Sequence, residues 1–410
     1  MTPHRAIAAV FAAHGAVAGS LSTRIPWIQD HLHLSPATLG LAMLCPSIGA
    51  FLGMPVASRL AFRYGSRTAT RALIALWCGG LALPALAPVP AALFVAFLLF
   101  GCAAGMSDVV MNAHAVELER HLDRPIMSGL HGMWSVGSLG AAGLGALAAQ
   151  AGVDARLHLA AMSLALLALG AAAGRGLLPN HVTAAQRPAG AAPPRRFALP
   201  ARGILLIGLV GFCATFAEGA SANWSAVYLT RVTEAGPGLA AAAYTVLMLC
   251  MAGTRLLGDR IIRLLGPVTC VRAGGLVAVA GGVVVVTART PLLAIAGFAL
   301  LGLGVAVIMP LALAAAGNAG PTAGEGVAGV ATITYLSGLT APAVTGWLAG
   351  AFGYPAAFAF ITAVVLLLPF LAPVLRPAAP RPLDPAGPAE EDALIPAAPC
   401  RSSARPTSGG

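Results

Sequence analysis

Lysine is absent from these 410 residues, so all 24 basic side chains are arginine, set against 14 acidic ones. That absence excludes a P-loop lysine on nucleotide phosphates and any Schiff base to retinal or pyridoxal phosphate. ATP-driven work by this chain alone is therefore not expected. Charge of either sign is scarce, at 9% of residues, and aromatics reach only 6%. The seven cysteines (Cys45, Cys78, Cys102, Cys213, Cys250, Cys270 and Cys400) are odd in number and scattered singly, with no Cys-x-x-Cys pair. Neither a metal site, nor a disulfide framework, nor a bound cofactor is expected from them. At membrane depth there is also no His-x-x-x-His, no Gly-x-Ser-x-Gly and no carboxylate cluster, so an enzyme is not expected.

Apolar sequence is abundant instead. Hydrophobic residues make up 58% of the chain and the mean hydropathy is +0.85, far outside the range of soluble domains. A bilayer core about 30 Å thick takes about 20 apolar residues per helix. The partner implied is lipid. A net charge of +10 would suggest nucleic acid for a soluble protein. Here the arginines fall between apolar blocks, which topology explains without such a partner. The run after Arg5 resembles a leader, but it continues past His14 towards Ile28 and reads as a first span.

Apolar runs and their Pro/Gly or charged breaks predict helices over 5–30, 36–60, 67–88, 91–119, 126–150 and 156–177, then 203–231, 238–262, 267–287, 291–316, 324–350 and 354–375. With the amino terminus inside, 20 arginines face the cytoplasm and only Arg24, Arg156, Arg231 and Arg289 face out. The positive-inside rule then places both termini in the cytoplasm of a bacterial inner-membrane protein. Sliding the chain by 201 residues superposes Arg59 on Arg260, Gly65 on Gly266, Arg71 on Arg272, Phe97 on Phe298, Gly101 on Gly302, Gly137 on Gly338, Gly145 on Gly346 and Gly152 on Gly353. One register held across several helices implies two parallel halves of six helices in an all-α membrane protein. The expected organisation is a first half over 1–177, a cytoplasmic linker over 178–202, a second half over 203–375, and a disordered cytoplasmic tail over 376–410. Two fused halves already form a complete pathway, so a monomer is expected.

Acids at membrane depth are informative, because a buried charge is costly unless paired or neutralised. Asp108, with Asn112 one turn on, and Glu218, with Ser221 and Ser225 at i+3 and i+7, are the candidates for proton coupling. The alternative for the Asp108 and Asn112 pair is polar glue between helices. His131, Trp134 and Ser135 in the fifth span, Thr332 and Tyr335 opposite them in the repeat, and Asn223, Trp224 and Arg24 are candidates for a substrate cavity. Packing hydroxyls and interfacial aromatics are the alternative. Arg59, Arg63, Gly65 and Arg67 in the loop after the second span, and Asp259, Arg260 and Gly266 in the matching loop, form a candidate cytoplasmic gate. Arg59, Arg63 and Arg67 equally suit a purely topological role, whereas the latch is the favoured reading for the Asp259 and Arg260 pair.

The segment Ser58-Arg59-Leu60-Ala61-Phe62-Arg63-Tyr64-Gly65-Ser66-Arg67 resembles the major facilitator signature Gly-x-Leu-Ala-Asp-Arg-x-Gly-Arg. Arg63 and Gly65 match, while Phe62 replaces the acid and Ser58 the first glycine; Gly258-Asp259-Arg260 keeps an acid in the second half. The runs Ser22-Thr23-Arg24-Ile25-Pro26, Asp108-Val109-Val110-Met111-Asn112 and Glu218-Gly219 are similar to a bacterial branch of that superfamily near fucose permease. The resemblance spans 5–375. It implies the major facilitator fold, with twelve helices and pseudo-two-fold symmetry, and secondary transport of a small solute, sugar-like by resemblance alone. Proton-coupled alternating access is the leading expectation. An efflux antiporter for drugs or metabolites, and a non-transporting sensor or scaffold, are the alternatives.

Overall fold

Proline stands in the first turn of seven of the long helices, where its missing N–H has no helical acceptor to lose. The structure, a computed structural model, describes residues 1–34, 36–185, 202–319 and 322–376. Its long helices are α1 (Pro3–Ser22), α2 (Cys45–Tyr64), α3 (Ser66–Gly79), α4 (Pro90–Leu122), α5 (Met127–Gln150) and α6 (Ala155–Arg175), followed by α7 (Arg202–Val232), α8 (Pro237–Leu265) and α9 (Pro267–Thr287). Next come α10 (Pro291–Val305, resuming over Ile308–Ala319), α11 (Ala323–Phe352) and α12 (Tyr354–Val365, resuming over Leu367–Leu371). Eleven helices among the described residues are long and apolar enough to cross a membrane. The other long helix, α8, has 29 residues. Most of the expected linker, 186–201, and the expected tail from 377 onward lie outside the described residues.

Several expected spans are interrupted, each time by the same chemistry. The first span breaks at Thr23-Arg24 before the short helix Ile25–His31, the second at Met43-Leu44 after Pro36–Ala42, the tenth at Ala306-Val307 and the twelfth at Leu366. Pro26, Pro46, Pro310 and Pro369 each lack the N–H that would bond the carbonyl four residues back, at Ser22, Ala42, Ala306 and Val365. Pro55 and Pro342 stay inside α2 and α11.

The internal repeat is visible in the backbone. The positive-φ glycines form two pairs, Gly65 (φ 83°) with Gly266 (φ 75°) and Gly152 (φ 70°) with Gly353 (φ 87°). Each pair is separated by the 201-residue shift and makes the same tight turn in each half, where an L side chain would be strained. Side-by-side packing repeats too. A Cβ at Gly101 would overlap the Pro46 backbone of α2, and one at Gly302 would lie 2.7 Å from the Leu247 carbonyl of α8. Pro46 and Leu247 carry the same offset. The two six-helix halves meet where α5 packs on α8 and α11 packs on α2 and α4.

Candidate functional site

An arginine lies between the halves, well inside the long apolar helix α8. Arg255 is 6% exposed, and a guanidinium removed from water needs its donors satisfied. Its Nη2 donates to Glu218 Oε2 on α7 at 2.9 Å, an ion pair. Its Nε donates to the Ala306 carbonyl at 3.1 Å, the acceptor that Pro310 leaves free at the α10 break. Its Nη1 reaches Ser135 Oγ of α5 at 3.4 Å, a long contact across the interface. The Glu218 side chain keeps 26% of its surface exposed, so one face of the carboxylate remains reachable.

In the first half a second polar chain runs towards the same region. Asn112 Nδ2 donates to Asp108 Oδ1 at 3.1 Å and to the Asp108 carbonyl at 2.9 Å. Its Oδ1 lies 3.2 Å from His131 Nε2, and because the amide nitrogen is already donating, the imidazole is the donor. Phe11 meets the His131 ring edge-on at 5.4 Å. Trp134 Nε1 donates to His14 Nδ1 at 3.0 Å, and Trp77 Nε1 to the His14 carbonyl at 3.2 Å, so His14 holds α1, α3 and α5 together.

The remaining cavity candidates divide. Tyr335 of α11 packs on the seam of Ala50, Met54, Val109 and Val110 from α2 and α4. Thr332 bonds its own helix at the Ala328 carbonyl, 2.8 Å away, and Asn223 is exposed and bonds the Gly219 carbonyl at 2.7 Å. Ser221 and Ser225 are buried, with side-chain oxygens that have no partner. Trp224 faces Tyr354, centroid to centroid 6.0 Å. Arg24 is buried away from all of these, bonded to His158.

At the arginine-rich end the start of α5 gathers two carboxylates. Asp259 of α8 accepts from the Ser128 and Gly129 N–H groups, each at 2.9 Å. Glu119 of α4 accepts from those of Ile126 and Met127 at 2.8 and 3.1 Å. Together these are the four N–H groups that a helix start leaves without helical partners, shared between one acid from each half. The approach depends on missing side chains, since a Cβ at Gly129 would overlap Asp259 and one at Gly258 would overlap Ser128. Ser128 Oγ also donates to the Arg255 carbonyl at 2.9 Å. Asp259 makes no bond to its neighbour Arg260, which is exposed.

The matching loop after α2 is tied within its own half. Gly65 turns over Asn180, whose side chain accepts from the Arg67 N–H at 3.0 Å and donates to the Tyr64 carbonyl at 3.1 Å and Thr68 Oγ1 at 2.9 Å. Arg67 Nη2 donates to the Arg175 carbonyl at 2.7 Å. Arg63 lies 5.3 Å from the Tyr64 ring, and the Gly266 turn is open around its α-carbon. Beneath this loop the Leu178 N–H donates to His114 Nε2 at 3.2 Å, which leaves His114 Nδ1–H to bond Ser66 Oγ at 2.9 Å, and Ser66 donates to Glu117.

Sequence reasoning did not single out Arg255 as the partner of Glu218, nor Glu119 and Arg120. Arg255 follows a long uncharged stretch of α8 from Leu239 to Thr254, and that depth was its available signal. Arg120 bonds the ends of two helices across the interface, reaching Asn318 Oδ1 at 2.6 Å and the Gly317 carbonyl.

Comparison with known proteins places these features in context. The family model for the Major Facilitator Superfamily matches residues 7–323 and 207–406. An uncharacterised transporter of Sinorhizobium fredii is 33% identical over 379 residues, covering 92% of this chain and 99% of its own. An uncharacterised MFS-type transporter of Yersinia pestis is 33% identical over 344 residues, covering 83% of this chain and 88% of its own. Among solved structures, FucP in its outward conformation superposes with a TM-score of 0.71 at 15% identity, over 92% of this chain and 99% of that one, which shows the shared fold.

Proposed function

The chain belongs to the major facilitator superfamily and is a multi-pass membrane transporter rather than an enzyme; from that premise we propose proton-coupled movement of a small polar solute by alternating access. The carrying observation is the 2.9 Å pair of Arg255 and Glu218, both of the second half, made by an arginine that also reaches Ser135 of the first. Protonating Glu218 removes the charge that holds Arg255 Nη2. The guanidinium then keeps the Ala306 carbonyl of its own half and Ser135 of the other, so the proton weakens the hold of the second half on Arg255 relative to the contact across the interface. Asp108, through Asn112 and His131, is the second proton-binding candidate in the same scheme.

The solute would lie among Arg255, Glu218, Ser135, His131, Asn112 and Tyr335, a lining of donors and acceptors with few large aromatics. That suits a hydroxyl-bearing, sugar-like cargo. FucP is described as a fucose:proton symporter, and a common fold makes the same class of cargo a reasonable first panel. The arginine-rich end is taken as cytoplasmic in a bacterial inner membrane, with both termini there, and the halves 1–177 and 203–375 as the bodies that rock. In this state Asp259 on the start of α5 closes the cytoplasmic side.

Transport into proteoliposomes under an imposed pH gradient, with a panel of sugars, acids and dyes, is the direct test. Glu218→Gln is expected to abolish pH-driven accumulation of the accepted solute while counterflow exchange continues. Accumulation at wild-type rate would remove Glu218 from the scheme, and dye movement in the outward direction would make the chain an exporter.

A further inference from the structure

We propose that the end of the first half opposite the arginine-rich loops contains a binding site for a compact anion, built on Arg24 and His158. The inference is independent of the coupling scheme above.

Arg24 stands in the break between α1 and the helix Ile25–His31 and is 2% exposed. Its Nε donates to His158 Nδ1 at 3.1 Å. With Nδ1 accepting, the ring proton of His158 is on Nε2. Arg24 Nη2 and His158 Nε2 are both enclosed, and neither has a hydrogen-bond partner. Two side chains bonded to each other thus carry two buried N–H donors and no acceptor. Buried polar atoms without partners are rare enough in folded proteins that each calls for an explanation.

The charge is equally uncompensated. Among the described residues no carboxylate lies within ion-pair reach of Arg24. Asp154 acts on it from further off, against the desolvation that lowers the Arg24 pKa from its ordinary value. That carboxylate is engaged at the start of α6, accepting from the Arg156 N–H at 2.8 Å. At the same end of the half a second arginine is engaged elsewhere. The Arg156 guanidinium bonds His31 and lies 5.3 Å from the Trp27 ring, which stacks on His31 at 4.6 Å.

Two orphan donors, one permanently charged, describe a receptor for an acceptor that carries negative charge. Neither nitrogen is reached by solvent in this arrangement, so the acceptor is limited to a single halide ion or one carboxylate group, and it enters only as the side chains around the Thr23-Arg24 break shift. His14 Nε2 is likewise buried without a partner, so what sets the Arg24–His158 pair apart is that one of its two orphan donors carries a full charge with no carboxylate in ion-pair reach.

The test is thermal unfolding of the purified full-length protein in detergent at constant ionic strength, with sodium isethionate replaced stepwise by chloride or by acetate. Binding to the folded state is expected to raise the apparent Tm by a few degrees over a hundredfold rise in anion, with isethionate inert. Arg24→Gln is expected to lose the rise, and His158→Phe, which keeps the charge, to shift it to about tenfold higher anion. Stabilisation by chloride alone assigns the site to a free halide; stabilisation by acetate assigns it to a carboxylate. Should Arg24→Gln not fold, Arg24→Lys with His158→Phe carries the comparison. A wild-type Tm that is the same in all three anions, or an anion effect that survives in the variants, overturns the proposal.

Discussion

At position 255 one guanidinium serves three helices, and the arithmetic of removing it differs from that of removing the pair. Arg255→Met leaves the Glu218 carboxylate charged at membrane depth and the Ala306 carbonyl unbonded. It is expected to destabilise by about 3–5 kcal/mol, the range for breaking a buried pair from one side. The double variant Arg255→Met with Glu218→Gln removes the stranded charge and is expected to recover most of that loss. Thermal unfolding of the two purified variants, run side by side, checks it; equal melting temperatures would mean that the pair is not coupled. Gly65 makes a second residue-level prediction. Gly65→Ala meets both a φ of 83° and the Asn180 side chain, and about 1–3 kcal/mol of destabilisation is expected. Gly140, where a Cβ meets nothing within 4 Å, serves as the matched control.

Among the elements, α5 and α8 work as a pair. In the proposed scheme Asp259, bonded to the Ser128 and Gly129 N–H groups at the start of α5, stabilises the closed arrangement through charge-assisted bonds and the helix dipole. Asp259→Asn should cost about 0.3–2 kcal/mol of that preference, a factor of roughly 2–30 in the closed-to-open ratio. Accessibility of a cysteine introduced beside Ser128 to a soluble maleimide is the measurement. Gly129→Ala, which crowds Asp259 without touching its charge, is expected to shift labelling the same way. The helices themselves were largely legible in the sequence, since apolar run length and the prolines at their starts set the ends to within a few residues. Their interruptions were signalled by Pro26, Pro46, Pro310 and Pro369, but Pro55 and Pro342 carry the same signal without a break. Proline alone therefore does not settle a break, and at the tenth span the partner of the freed Ala306 carbonyl, Arg255, comes from another helix and is tertiary information. Glu218 stood out as an isolated acid in an apolar run. Arg255 did not, because it reads as the first of a cluster with Arg260 and Arg263, and depth in the bilayer is a property of where the helix is placed.

For the molecule as a whole, the two halves repeat in their turns and crossings but not in their charges. Asp259 in the second half corresponds by the 201-residue shift to Ser58 in the first, which faces Gly324 near the start of α11. The repeat was readable because glycine turns tolerate little substitution; the chemistry diverged because one acid suffices on one side. If the arginine-rich end is cytoplasmic, single cysteines placed at Asp123 and Gly266 should resist a membrane-impermeant maleimide in intact cells. Cysteines placed at Ala151 and Thr290, both exposed, should react. The reverse pattern would invert the topology.

The sharing of four N–H groups at the start of α5 has a consequence for turnover. Separating the halves withdraws Asp259 but leaves Glu119 in place, because Glu119 belongs to the same half as the helix it caps. The opened helix start therefore exposes two bare donors to entering water rather than four. Under the proposed scheme such a catch biases the resting state while leaving only Asp259's two bonds to be broken at each cycle.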